Sequence, residues 1–249
     1  MKLVTYIRPD DRPLTEHLGV VTSDVWLVDL QAASQSLRGG PNPHFNDMVA
    51  FLSGRPVAQA EAQALADAAG ADELVALSSV KLLAPVPRPR MMRDTACYEG
   101  HLVNGLRAAA RMKGQNPDAM PPEAFKPPAI WYELPLYYKV NVNSIMGMDD
   151  EVAYPEGERF KDYELELAVV IGQEGRDIHA RDAMRHVGGY TIFNDCSARL
   201  TQGKEMPNEF HVGPGLGKDF ANPMGPCLVT ADAFDPDNAV TITRVNGVE

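Results

Sequence analysis

The stretch that most constrains this chain is Tyr163–Gln202. Its first run, YELELAVVIG, sets two carboxylates two residues apart in the most strand-like segment of the sequence, and GGYTIFND ends a second such run on a third acid. Side chains of a strand alternate faces, so Tyr163, Leu165, Leu167 and Val169 share one face and Glu164, Glu166, Ala168 and Val170 the other. Two neighbouring glutamates on a face that continues as Ala168 and Val170 repel each other and lose hydration, at a cost of several kcal/mol per ion unless something positive lies between them. An exposed sheet face with arginine or lysine partners would meet that need, and the spacing of the two glutamates alone does not decide against it. Asp195, at the end of an apolar run, shifts the reading toward a bound cation. Three carboxylates without histidine or cysteine are hard ligands that suit Mg2+, Mn2+ or Ca2+ rather than zinc.

The rest of the composition narrows the class. A chain of 249 residues with 45% hydrophobic and 23% charged residues can bury a sizeable core and is not a disordered type. Its formal net charge of -11 lacks the basic face that nucleic acid requires. The N-terminus MKLVTYIRPDDRP meets charge and proline before any signal-peptide core, and runs such as Leu167–Ile171 are too short to span a bilayer. A soluble cytoplasmic protein is therefore expected. Cys97, Cys196 and Cys227 are widely spaced with no CxxC, which suits reduced thiols.

In chain order, KLVTYI (2–7), HLGVVT (17–22) and VWLVDL (25–30) are short β-branched runs that predict a small sheet. Phe45, Met48, Phe51 and Leu52 at helical spacing, then an alanine-rich stretch over 58–69, predict two short helices. Prolines in LAPVPRPR mark an extended linker, so a small N-terminal α/β domain is expected over 1–85 and a second domain over 86–249. A helix is predicted to start near Gly100 or His101 and run to about Lys113. A proline-rich loop follows over 114–128, then a strand in LPLYYKVN (134–141) and a short helix over 180–187. Asn194 or Asp195 is placed to cap a helical turn that carries Arg199 and Gln202 on one side. PMGPCLVT and AVTITRV predict further strands, the last running into the hairpin signal Asn246-Gly247, which suggests the front part of a longer protein.

Two other groupings carry chemistry. Asp94, Glu99 and His101 cluster in RDTACYEGH, where a histidine near a carboxylate can be oriented and made more basic, as a general base needs. An ordinary helix-start histidine with an acidic neighbour is the competing reading and prevails on these residues alone. The remaining histidines (His17, His44, His179, His186 and His211) show no ligand spacing. GPGLGK (213–218) lacks the P-loop spacing and is followed by Asp219 rather than Ser or Thr, so nucleotide binding is rejected. It leaves either a tight turn or a glycine-rich loop that brings Lys218 to a small anion.

Taken together, RD at 93–94 with ExH at 99–101, DYELELAVVIG at 162–172, GYTIFNDCSARLTQ at 189–202 and GLGKDFANPMGPCLVT at 215–230 resemble the fumarylacetoacetate hydrolase family. The resemblance spans about residues 80 to 249. It implies an α+β, β-rich chain whose small N-terminal domain leads into a mixed β-roll of this type, commonly dimeric, with Mg2+, or Ca2+ or Mn2+, at its mouth. By motif position it implies Asp94, Glu164, Glu166 and Asp195 as metal ligands and His101, oriented by Glu99, as the base. Arg199, Gln202 and Lys218 would line the substrate pocket, with Lys218 and Gln202 holding developing negative charge, and Tyr138 is a further match. The implied reaction is hydrolytic cleavage of a carbon-carbon bond in a fumarylacetoacetate-like or acylpyruvate-like diketo acid. Relatives also include decarboxylases, hydratase-like enzymes and lyases acting on 2-oxo acids. The family continues past its Asn-Gly turn into further strands, so a non-catalytic, metal-binding fragment is the alternative expectation.

Overall fold

The computed structural model describes residues 1–206 and 213–249. The chain opens with strands β1 (Lys2–Ile7), β2 (Glu16–Val21) and β3 (Trp26–Asp29), then helices α1 (Leu30–Arg38), α2 (Met48–Ser53) and α3 (Val57–Ala68). Short strands β4 (Leu74–Ala76), β5 (Lys81–Leu82) and β6 (Arg93–Thr95) lead to helix α4 (Glu99–Met112) and the single turn α5 (Ala129–Glu133). Strands β7 (Tyr137–Lys139), β8 (Ile145–Met146), β9 (Lys161–Asp162), β10 (Leu165–Ile171), β11 (Val187–Asn194) and β12 (Ser197–Ala198) follow. Helix α6 (Arg199–Glu205) and β13 (Asn222–Thr230) complete the regular elements.

The main sheet runs β10-β11-β13-β1-β2-β3-β4, with β5 paired to β1 and β8 paired to β13. The pairing is antiparallel except for β8 on β13, so the sheet is mixed and the class α+β with strands dominant. Lys2 and Leu3 pair with Val229 and Leu228, so the opening sheet and the later strands are one hydrogen-bonded surface. The expected boundary near residue 85 falls between β5 and β6.

Two hydrophobic clusters set the site in place. The larger joins Leu3, Leu18, Val28 and Leu228 of the sheet to Phe45, Phe51 and Leu65 of the helical segment, with Val170 against it. The smaller gathers Ala84, Val140, Phe193 and Met224, with Tyr138 and Ala168 packed alongside. Arg55, between α2 and α3, donates through Nη1 to the Gly188 carbonyl at 2.6 Å and so ties the helices to β11.

Several expectations are corrected. Helix α1 occupies 30–38, where the pattern predicts none, because the Asp29 carboxylate accepts from the Ala32 amide and starts it. Residues 239–244 form no strand: among the described residues none lies beside them to pair, and Val240 is 85% exposed. The Asn246-Gly247 turn itself forms, with φ of 52° and 81° and paired bonds between Val245 and Val248. Neither Asn194 nor Asp195 caps α6; its N-cap is Ala198, and the capping groups come from elsewhere.

Asp29 shows how the first strands are locked. It is 2% exposed and accepts from the Tyr6 hydroxyl at 2.7 Å and Arg8 Nη2 at 2.8 Å as well as from Ala32. Asp29→Ala removes the cap, at about 1 kcal/mol, and strands the buried Tyr6 hydroxyl, at about 1–3 kcal/mol, so stability should fall by about 2–4 kcal/mol. Urea unfolding with an unchanged m-value checks this, and a loss under about 1 kcal/mol would contradict the assignment.

Candidate metal centre

The acids converge because three strand ends meet. Asp94 lies in β6, directly opposite Tyr138 of β7. Glu166 lies in β10 opposite Phe193 of β11, and Glu164 sits one residue before β10, where its carbonyl accepts from the Asp195 amide at 3.1 Å. Asp195 follows the last residue of β11 and has no exposed surface, whereas Asp94, Glu164 and Glu166 are half-buried. One carboxylate oxygen from each of Asp94, Glu164, Glu166 and Asp195 lies within 4.8 Å of the others. The alternation puts the glutamates on the core side of β10: Ala168 and Val170 pack into the two clusters, while Val169 and Ile171 are 50% and 65% exposed.

Two cations brace this set. Lys218, 4% exposed, donates to Glu164 Oε2 at 2.6 Å and also to Asp195 Oδ2. Arg199 donates from Nη2 to Glu164 Oε1 at 2.5 Å, from Nε to Asp162 Oδ2 at 2.7 Å and from Nη1 to Gln202 Oε1 at 2.9 Å. The Tyr138 hydroxyl donates to Asp195 Oδ2 at 2.9 Å. Burial alone would raise the Glu164 pKa, but Lys218 and Arg199 outweigh it and hold the group down to about 2. Among the described residues no cation pairs directly with Glu166. Burial, then the charges of Asp94, Asp195 and Glu164, push it up to about 8. Burial also raises Asp195, against the pull of Lys218, and raises Tyr138, which has Asp195 and Asp94 beside it and so stays a neutral donor.

The donor set fits a hard divalent cation. Asp195 Oδ1 is a buried carboxylate oxygen with no hydrogen-bond partner among the described residues, and the cost of leaving such an atom unpaired is removed when it faces a positive ion. Four carboxylates with no nitrogen or sulfur donor match the oxygen coordination of Mg2+, Mn2+ or Ca2+.

The other expected residues are distributed unevenly. Arg199, Gln202, Lys218 and Tyr138 all join the network around the acids. Glu99 and His101 lie exposed on the first turn of α4, two residues apart and hence not facing each other. Glu99 accepts instead from the Tyr132 hydroxyl at 2.6 Å, and the His101 ring makes no hydrogen bond to the described residues. His17 sits between Asp11 and Asp29, His44 lies against Gly54, and His186 lies against the Gln173 carbonyl. His211 is outside the described residues. Three residues were not singled out in the sequence. Asp162 clamps Arg199, Glu158 caps α6, and Glu205 accepts from the Gly215 and Gly217 amides. Asp162 borders the ExE motif and could have been suspected; nothing local marks the other two.

Lys218 reaches the acids because Gly217 lets its loop lie on α6. A Cβ at Gly217 would stand 2.8 Å from Gln202 Cβ and 2.9 Å from its backbone. Gly217→Ala should therefore displace the loop and destabilise the protein by about 1–3 kcal/mol, read by urea unfolding; an unchanged midpoint would refute the close approach. Protons held by Glu166 up to about pH 8 must leave when a cation binds. Mn2+ affinity should thus tighten from about pH 6 to about pH 8, by up to about tenfold per unit for each proton displaced. Calorimetric titration across that range checks the sign, and a flat profile counts against it.

Comparison with known proteins places this arrangement. A family profile described as fumarylacetoacetate (FAA) hydrolase C-terminal matches residues 82–249. A human mitochondrial oxaloacetate tautomerase is 37% identical over 171 residues, which cover 68% of this chain and 47% of the relative. An oxaloacetate tautomerase of Bacillus subtilis is 35% identical over 180 residues, covering 70% and 51%. The chain thus spans about half the length of these relatives. A solved fumarylacetoacetate hydrolase of Exiguobacterium antarcticum shares the fold with a TM-score of 0.59 at 22% identity, over 95% of this chain and 69% of that one. A Sphingobium maleylpyruvate hydrolase solved with manganese(II) and pyruvate gives 0.58 at 21%, over 95% and 70%. Among the described residues no helix is long and apolar enough to cross a membrane. With the profile covering every strand that carries a cluster acid, the chain belongs to the fumarylacetoacetate hydrolase family.

Proposed function

We propose that this chain is a metal-dependent enzyme that acts on a small 2-oxo or diketo acid by stabilising its enolate. The observation that carries the reading is the four-acid cluster, braced by Lys218 and Arg199 yet retaining a buried Asp195 oxygen with no partner among the described residues. A divalent cation held by Asp94, Glu164, Glu166 and Asp195 would supply a Lewis acid for both oxygens of such an acid. Mg2+ is the first choice, with Mn2+ and Ca2+ as alternatives.

The chain's own groups do the rest. Lys218 and Arg199 offset negative charge that develops on the substrate oxygens, as preorganised donors do for an oxyanion. Gln202 spends its carbonyl oxygen on Arg199, and its amide N–H groups have no partner among the described residues. Tyr138, held neutral, donates to Asp195 and does not act as a base. His101 is the candidate base by its place in the family motif, and its exposed ring makes no hydrogen bond to the described residues. When a proton leaves the carbon beside the carbonyl, the electron pair moves onto the carbonyl oxygen. Reprotonation then gives the keto or enol form.

The enolate is what tautomerisation shares with hydrolytic carbon-carbon cleavage: the first forms it by loss of a carbon-bound proton, the second by addition of hydroxide to the other carbonyl and rupture of the carbon-carbon bond, whose electron pair passes to the enolate. Tautomerisation of an oxaloacetate-like acid is the first reading, since two relatives at 35–37% identity carry that name and the step needs no activated water. Hydrolysis of a fumarylacetoacetate-like or acylpyruvate-like acid is the second, and it draws on His101 to activate water. A homodimer and a cytoplasmic location belong to the same proposal; Val169, Ile171 and Ile192 form an exposed apolar face of β10 and β11 that a second copy would cover.

Following the enol absorbance of oxaloacetate beside a panel of acylpyruvates, with Mg2+ and with chelator, separates the reactions. Isomerisation without loss of carbon supports the first, cleavage products the second, and metal-independent rates refute both. Glu164→Gln combined with Glu166→Gln should weaken Mn2+ binding by more than the roughly 10–100-fold that even outer partners of a ligand cost, and abolish turnover. His101→Ala should lower kcat by about 100- to 10,000-fold and leave Mn2+ affinity unchanged. Loss of metal binding instead would mean the histidine has a different role.

A further inference from the structure

Helix α6 begins without a cap of its own. Ala198 occupies the N-cap position and has no side-chain acceptor for the first helical amides. Those amides turn instead to Glu158, 42 and 43 residues upstream in sequence and 8% exposed. Its Oε1 accepts from Phe160 N at 2.8 Å and Leu200 N at 3.3 Å, and its Oε2 from Thr201 N at 3.1 Å and the Thr201 hydroxyl at 3.2 Å. No arginine, lysine or histidine forms an ion pair with Glu158 among the described residues. A serine is the usual N-cap and would serve the first amides locally, without burying an unpaired carboxylate. What a local cap would not do is join two segments.

The segments it joins carry the network around the acids. Ser197 and Ala198 pair with Asp162 and Lys161, and Arg199 N donates to the Phe160 carbonyl at 3.1 Å. Glu158 extends this ladder by side chain at the point where the chain turns into helix and backbone pairing stops. Arg199 then reaches back across the same junction to Asp162 and Glu164. A change in the register or angle of the two segments therefore alters how the guanidinium meets Glu164.

We infer that Glu158 is a positioning residue for Arg199: by clamping 158–160 to 199–201 it sets the guanidinium beside the acid cluster and presents Gln202 next to it. The functional consequence rests on the proposed 2-oxo acid chemistry, whereas the positioning itself does not. The test therefore has two readouts on the full chain. In the first, the Arg199 Nε–H resonance is followed by 15N NMR and assigned by its loss in Arg199→Met. Its hydrogen exchange should be slow in the parent protein and at least about tenfold faster in Glu158→Gln, where an amide nitrogen replaces one of the two accepting oxygens. Unchanged exchange overturns the inference, whether or not any substrate is ever found.

In the second, Mn2+-loaded protein is titrated with oxalate, a planar two-oxygen mimic of an enolate acid. Glu158→Gln should weaken oxalate about tenfold with Mn2+ affinity within about threefold, and should add nothing in the Arg199→Met background. Additive losses, or a parallel fall in Mn2+ affinity, mean that Glu158 only supports the fold and overturn its positioning role. A parent protein that holds Mn2+ but ignores oxalate would count against the functional reading, leaving the NMR result to decide the positioning. If Glu158→Gln does not fold, Thr201→Val removes one donated hydroxyl. It should give the same split at about two- to threefold, and no split overturns the inference.

Discussion

Everything around the site answers to one electrostatic problem: four carboxylates brought within hydrogen-bonding distance of a common point, one of them without exposed surface. Buried like charges at such separations repel strongly, so the fold holds them only by supplying positive charge on several sides. Lys218 and Arg199 supply part of it, and both settle on Glu164. The consequence is a divided set of acids. Glu164 is held ionised to about 2, while Glu166, with no cation paired to it among the described residues, keeps its proton up to about 8. The charge that two side chains do not supply is the charge a divalent cation would bring to this donor set.

That demand explains why the surrounding backbone is so tightly specified. Lys218 reaches Glu164 and Asp195 only because Gly217 rests against the backbone of Gln202, and Glu205 gathers the amides of the same loop. Arg199 reaches Glu164 and Asp162 only because α6 starts where Glu158 holds it. Helix α6 is short, and its position is set at both ends by glutamates rather than by a large buried face; no residue of it is buried. The rigidity comes from directional bonds, which suits an element whose side chains must meet charged groups at fixed distances.

The N-terminal strands contribute from a distance. Because β1 pairs with β13, and β13 with β11, the small opening sheet continues into the strands that carry Glu166 and lead to Asp195. Phe193 in β11 and Ala168 in β10 pack into the cluster that also holds Tyr138, so the floor of the acid site is a hydrophobic core. The shared sheet links the stability of the first eighty residues to the geometry of the site.

Part of this candidate site was legible in local sequence signals, whereas Asp94 as a ligand and Tyr138 were expected only from the family resemblance. Two glutamates at strand spacing, an acid ending an apolar run, and Arg199 and Gln202 one helical turn apart all follow from the repeat of strand and helix. Alternation also sorted Glu164 and Glu166 onto the face of Ala168 and Val170. It could not say which face turns inward: the aliphatic face with Val169 and Ile171 is the exposed one, because Phe193 and Met224 pack beneath the other. The strand expected over 239–245 needed a neighbour that no local pattern can provide, and helix α1 depended on a cap from Asp29 that the strand reading absorbed. The sequence by itself determined which groups carry charge and where strands and turns are favoured, since those are properties of short windows. Only the tertiary structure decided that Glu99 meets Tyr132 rather than His101, that Asp162 completes the hold on Arg199, and that Glu158 stands in for a missing cap. Each of those contacts joins residues far apart in the chain, and their distance is set by packing rather than by spacing.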